Sequence, residues 1–121
     1  MSLWDRIITS LEATLLTGRH TLQRQVNGAY CGDLLSDVLA RALPGNLWIT
    51  IHRHRNIVAV ATLVNLSGII ITGNRAPEPD ALESAEKECI PLLTTPLNNF
   101  ETSGKLHDLF SDYSKSKYFN L

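Results

Sequence analysis

Four consecutive residues, His52-Arg53-His54-Arg55, put two guanidinium groups and two imidazoles side by side in a chain in which charged residues make up only 19%. Guanidinium groups suit paired contacts to phosphate or carboxylate oxygens. Imidazole serves either as a metal ligand or as an acid-base group near neutral pH. As metal ligands, His52 and His54 supply two donors with no evident third, so no metal site is expected. As a catalyst, His54 has no partner base or nucleophile that spacing identifies. The rival enzyme reading is a small hydrolase or transferase acting on phosphate esters, with His54 beside Asp33 or Cys31. Cys31 precedes a predicted helix start, where the dipole favours a thiolate. Its simpler reading is a small packed hydrophobe. Phosphate-loop, dinucleotide-loop, nucleophile-elbow and H-E-x-x-H motifs are all absent from the sequence, and nothing calls for a cofactor.

The basic run belongs to a set of four polar loops, each expected to leave the carboxyl end of a strand. The others are Tyr30-Cys31-Gly32-Asp33, Thr72-Gly73-Asn74-Arg75 and Thr94-Thr95-Pro96-Leu97-Asn98. The elements that position them follow from periodicity. Leu3, Trp4, Ile7, Ile8 and Leu11 recur at helical spacing behind a Ser2 cap, and Ala13 to Thr17 and Leu22 to Tyr30 have strand character. Gly32 and Asp33 open a helix with the stripe Leu34, Leu35, Val38, Leu39 and Ala42, closed by Pro44-Gly45. Leu47 to Ile51 predicts a strand, and Asn56 caps a nearly all-apolar helix from Ile57 to Leu66. The β-branched run Ile69-Ile70-Ile71-Thr72 predicts a strand covered on both faces, at the sheet's centre. Pro79 suits the first turn of a helix carrying Leu82, Ala85 and Cys89 inward. Ile90 to Thr95 predicts the last strand. Asn98 and Glu101 have capping-box spacing for a final helix burying Phe100, Leu106, Leu109 and Phe110.

This βα rhythm predicts a three-layer α/β/α single domain with a mostly parallel sheet, in residues 1–110, followed by a tail at 111–121. In such sheets ligands bind outside the carboxyl ends of the strands, where helix N-termini favour anions. The candidate ligand site is therefore Asp33, His52, Arg53, His54, Arg55, Asn56, Thr72, Gly73, Asn74 and Thr94. Its expected guest is an anionic small molecule, a nucleotide or phosphorylated metabolite, whose negative group sits at the helix starting near Asn56.

Composition bounds the rest. The 121 residues suffice for one domain, with 44% apolar residues for a core. A net charge of -1 lacks the basic excess of a nucleic-acid binder. No apolar run is long enough to span a membrane and no signal pattern opens the chain, so a cytoplasmic protein is expected. Two cysteines without C-x-x-C spacing fit a reducing compartment. Trp4 and Trp48 read as core or interface residues. Together with Tyr113, Tyr118 and Phe119 they suggest more aromatic surface than one small core absorbs, and hence a homo-oligomer or a partner protein.

Taken in order, Gly32-Asp33-Leu34-Leu35-Ser36-Asp37-Val38, Trp48-Ile49-Thr50-Ile51, His54-Arg55-Asn56-Ile57-Val58-Ala59-Val60-Ala61, Gly68-Ile69-Ile70-Ile71-Thr72-Gly73-Asn74 and Ile90-Pro91-Leu92-Leu93-Thr94-Thr95 resemble the DRTGG domain family. The resemblance spans about Leu3 to Phe110. Such domains stand alone, accompany CBS domains, form the central region of long phosphotransacetylases and are similar to the N-terminal domain of HPr kinase/phosphorylase. The resemblance implies an α/β layered fold and a regulatory, ligand-sensing part without catalysis of its own. The alternative is a protein-interaction subunit of a larger redox or kinase complex. Where the family's Asp-Arg-Thr would align this chain carries Arg53-His54-Arg55, and where its paired glycines would align it carries Gly73 and Asn74. A basic residue thus replaces an acidic one, so a ligand of other members need not carry over. Asn74 can still take the left-handed turn.

Overall fold

The three β-branched isoleucines of the central run have no polar alternation, so both faces of the strand they form must be covered. The computed structural model, which describes residues 2–22 and 24–119 (114–119 by backbone alone), builds the molecule around that demand. Its elements are α1 (Leu3–Ser10), β1 (Thr14–Thr17), a 3-10 turn at Arg19–Thr21, β2 (Gly28–Cys31), α2 (Leu35–Arg41), β3 (Asn46–Thr50), α3 (Asn56–Val64), β4 (Gly68–Ile71), α4 (Pro79–Lys87), β5 (Leu92–Thr94) and α5 (Asn99–Phe119). The sheet order is β1-β5-β4-β3-β2. Strands β2 to β5 are parallel, and β1 pairs antiparallel with β5. The isoleucine strand β4 lies at the centre, as its composition predicts.

Side-chain parity sorts the core into two layers. Trp48, Ile69, Ile71 and Leu92 pack with Val38, Ile57, Val58, Ala61 and Ala85 from α2, α3 and α4. Leu47, Ile49, Ile70 and Leu93 pack with Trp4, Ile7, Leu106 and Leu109 from α1 and α5. Three successive crossovers between neighbouring parallel strands put their helices on one face, leaving the other to the first and last helices. The three-layer α/β/α architecture is therefore as expected. Among the described residues no helix is long and apolar enough to cross a membrane.

Several local expectations are corrected. Leu22 to Tyr30 is strand only from Gly28, because the preceding segment bridges loops at the amino edge instead of pairing. Arg24 donates to the carbonyls of Leu66 and Cys89, its own carbonyl accepts from the Trp4 indole, and Ser67 Oγ donates to the Gln25 carbonyl. Strand β3 ends at Thr50, leaving Ile51 exposed, and β5 covers only Leu92–Thr94. Helix α2 starts at Leu35, not at Gly32-Asp33, so Leu34 and Leu39 face solvent. Tyr30 donates its hydroxyl proton to Asp37 of α2, which holds the phenol above its ordinary pKa. Asn56 is the first residue of α3 and Arg55 is its cap, with no side-chain capping bond. Phe100 is exposed while its neighbours Leu106 and Leu109 are buried, and Cys89 turns outward in a left-handed conformation beyond α4. Cys31 is likewise exposed and lies on a strand, so it is neither packed nor at a helix start. Trp4 and Trp48 are both absorbed by the core, which removes them from the aromatic surface that suggested self-association. The side chains of Tyr118 and Phe119 lie outside the described residues. Helix α5 continues past Phe110 to Phe119.

Other readings hold in detail. Ser2 and Asp5 form a capping box on α1, Pro79 sits in the first turn of α4, and Asn98 and Glu101 exchange backbone bonds at the head of α5. Asn74 has φ 60°, the left-handed turn expected of it, and Gly73 before it is left-handed too, at φ 73°.

Truncating Ile70, fully enclosed between the layers, should cost about 2–5 kcal/mol as Ile70→Ala, by lost transfer energy plus an uncollapsed cavity. Leu63→Ala, at a side chain 77% exposed, should change stability little. Urea unfolding of the two variants checks the contrast.

Candidate functional site

The carboxyl ends of the parallel strands form the predicted edge, and a carboxylate organises it. Asp33 follows β2, and one carboxylate oxygen accepts from the Thr50 hydroxyl at 2.8 Å and from the Ile51 N–H at 3.0 Å. The other accepts from the Asn99 amide at 3.3 Å. Asn99 Oδ1 in turn accepts the Thr72 hydroxyl proton at the end of β4. His52 Nε2–H donates to the Asp33 carbonyl, fixing the ring's tautomer. Strands β2, β3 and β4 and the head of α5 are thereby joined through side chains as well as through the ladder.

Backbone bonds then gather the loops. Gly73 and Asn74 N–H donate to Leu97 and Thr95 carbonyls at 2.7 and 3.0 Å, and Glu78 N–H donates to the Arg53 carbonyl at 3.0 Å. Arg53 Nε–H donates to the Ala76 carbonyl. Arg75 folds back to donate to the Thr72 carbonyl at 3.0 Å, and its guanidinium occupies the space a Cβ at Gly73 would fill. Gly73 therefore answers both to the left-handed turn and to the arginine beneath it. His54 Nδ1 lies 2.8 Å from Glu78.

The ten sequence-predicted residues thus divide. Asp33, His52 and Thr72 are engaged internally and hold the edge together. Gly73 and Asn74 shape the turn. Arg53, His54, Arg55 and Asn56 are exposed along the β3–α3 loop. Thr94 stays in β5, paired with Thr14 and Ile71, and makes no side-chain bond to this network among the described residues. The anion seat at α3 is smaller than expected, because Ile57 and Val58 N–H already donate to His54 and Arg55 carbonyls. Among the described residues His54 makes no bond to Asp33 or Cys31: it pairs with Glu78, whereas Asp33 is held by Thr50, Ile51 and Asn99. Among the described residues no cluster of three or more His, Cys, Asp or Glu could hold a metal ion.

Sequence reasoning missed Asn99, Thr50 and Arg75. Asn99 sits one residue beyond the loop ending at Asn98, and the doublet Asn98-Asn99 was the available signal: one caps outward and the other reaches inward. Thr50 was legible as the one hydroxyl in an apolar strand. Two cavities, of about 540 and 580 Å³, lie away from this edge, one between β2 and α5 and the other between α1 and the segment Leu22–Asn27.

Because Asp33 accepts three bonds as a charged group, Asp33→Ala should lower stability by about 2–4 kcal/mol, since bonds to charged groups contribute about 1.5–3 kcal/mol each and partial solvation offsets part of that. A double-mutant cycle with Asn99→Ala should show a coupling above about 0.5 kcal/mol, measured by urea unfolding. Additive losses would remove the side-chain linkage between β2 and α5.

The family model of the DRTGG domain matches residues 6–109. Among solved structures the chain is similar to the CBS and DRTGG domains of the regulatory region of Clostridium perfringens pyrophosphatase complexed with its activator, diadenosine tetraphosphate, with 24% identity and a TM-score of 0.68 over 84% of this chain. The match covers 44% of that chain, so this protein spans less than half of the neighbour's length. At that identity the likeness establishes the fold. No curated protein matches. With nearly all of its ordered core inside the matched span, the chain belongs to the DRTGG domain family.

Proposed function

We propose that this domain is a non-catalytic regulatory module that senses an anionic small molecule, a nucleotide or other phosphorylated metabolite, at the carboxyl edge of its sheet. The observation that carries the reading is the tethering of Arg53 to the neighbouring β4–α4 loop and of Arg75 to the head of its own loop, both through backbone carbonyls, beside exposed Arg55. Each tether uses part of a guanidinium and leaves further N–H groups for a ligand, so the fork is oriented before binding. The His54–Glu78 pair lies beside them and adds to the edge a second carboxylate, besides Asp33, that an incoming anion would have to displace or avoid. The pyrophosphatase regulatory region, with its nucleotide activator, supports the ligand class. A regulatory module also suits a site whose carboxylate is engaged in structure and whose histidines lack a nucleophile.

A second reading, an interaction subunit of a larger assembly, draws on Leu39, Leu43 and Leu63. These side chains stay 46%, 63% and 77% exposed in and beside the packed pair α2 and α3.

Thermal-shift and calorimetric titration with ATP, inorganic tripolyphosphate and sugar phosphates tests the first reading, since a ligand bound only to the folded state raises Tm by mass action. Arg53→Ala and Arg75→Ala should each weaken ATP or tripolyphosphate binding by roughly tenfold, the equivalent of one charged hydrogen bond. Arg41→Ala, remote on α2, should leave it unchanged. If no compound in the panel raises Tm, the interaction reading takes its place.

A further inference from the structure

Strand β2 is one of the two edges of the sheet, paired only with β3, and its other side is open in a defined way. Gly32 N–H donates to the Ile49 carbonyl, and Cys31 is the residue aligned with Ile49. By the alternation of a parallel ladder, Tyr30 turns its backbone groups toward β3 while Ala29 and Cys31 turn theirs outward. The β2–β3 register leaves the Ala29 and Cys31 amides outside the ladder, and no loop or cap bond engages them among the described residues. The Ala29 carbonyl and the Cys31 N–H therefore point the same way, with Tyr30 between them. They form an acceptor beside a donor on the rim of the cavity of about 540 Å³ between β2 and α5.

The cavity's chemistry narrows its occupant. Ile49, Leu106 and Phe110 give it apolar walls, and Ser103 and His107 add hydrogen-bonding groups from α5. Among the described residues no Lys, Arg, Asp or Glu lines it, so an uncharged occupant suits it better than one that would lose water there. Its volume lies within the range of small-molecule sites. A flat ring that is apolar on its faces and carries a donor next to an acceptor on one edge matches all of these features. The amino and ring-nitrogen edge of adenine is such an edge.

We infer that the groove between β2 and α5 seats an uncharged planar heteroaromatic ring, specifically the base of an adenine nucleoside, hydrogen-bonded to the Ala29 carbonyl and the Cys31 N–H. The inference rests on the regulatory reading for its ligand class, but it concerns a different surface, on the α5 face and away from the arginine loops. The structure supplies its own probe, because Cys31 lines the groove, whereas exposed Cys89 precedes β5 at the far side of the sheet and touches Thr21 and Arg24.

The experiment is alkylation of the whole protein with iodoacetamide, followed residue by residue by mass spectrometry, with and without adenosine. Adenosine at ten times its Kd should slow Cys31 alkylation by roughly tenfold, as the free fraction dictates, and leave Cys89 unchanged. Ser103→Trp, which fills the groove, should abolish the response to adenosine while Cys89 keeps its wild-type rate as a check on folding. An unaltered Cys31 rate overturns the proposal. So does protection that rises with protein concentration and ignores adenosine, which would give the edge to a second copy of the chain. Inorganic tripolyphosphate has no ring, and adenosine has no charge. Stabilisation by the first without Cys31 protection by the second would leave the arginine edge standing and remove the groove, and the converse result would do the reverse.

Discussion

The Asp33 carboxylate is the interaction on which the carboxyl edge depends. A parallel ladder fixes neighbouring strands only through backbone bonds that slant between them. It says nothing about where the chain goes after the last pair. Asp33 extends the order beyond the ladder by accepting from the side chain that ends β3, from the first backbone N–H beyond it and from the side chain that opens α5. Through Asn99 the same linkage reaches Thr72 at the end of β4. Three loop origins are thereby held in register, and the arginines carried by two of those loops inherit their positions from it.

That arrangement explains why the polar network at the candidate site was only partly legible in the sequence. Loop composition and the βα rhythm located the edge, and the positive φ of Asn74 followed from residue type. What could not be read was the division of labour among polar residues. Asp33, His52 and Thr72 have the same chemistry whether they face a ligand or one another, and only the three-dimensional proximity of Asn99 decides it. The distances in sequence are large: Asp33 and Asn99 are 66 residues apart. Arg75 was passed over for the same reason, since its value lies in the carbonyl that orients it.

The fold was more legible because burial constrains it more tightly. Uninterrupted Ile69-Ile70-Ile71 admits one placement, at the centre with both faces covered, whereas the failures fell where local pattern and tertiary demand differ. Leu34, Leu39 and Phe100 are apolar residues at helical spacing, yet a shift of two residues in the start of α2 and a turn of α5 expose them. Leu22 to Asn27 alternates as a strand would. Its backbone and the Arg24 side chain instead close the amino edge by bonding loops that no sheet partner could reach.

The two edges of the sheet consequently behave differently. At the β1 side the antiparallel pairing with β5 is flanked by bonds from Thr17 and Thr95 to the carbonyls of Ile90 and Leu11, so that margin is stitched down by buried hydroxyls. At the β2 side a strand of four small or half-exposed residues ends the sheet with no charge or proline to blunt it. Helix α5, with 21 residues and roughly 31 Å of length, runs past strands that are at most about half as long. Its first half is anchored by Asn99, Leu106 and Leu109, and its side chains over β2 stand off far enough to leave the groove. An exposed edge without protection invites pairing with anything that carries matching donors and acceptors. The domain keeps its only two free thiols at opposite margins, and the one at β2 lies where such pairing would occur.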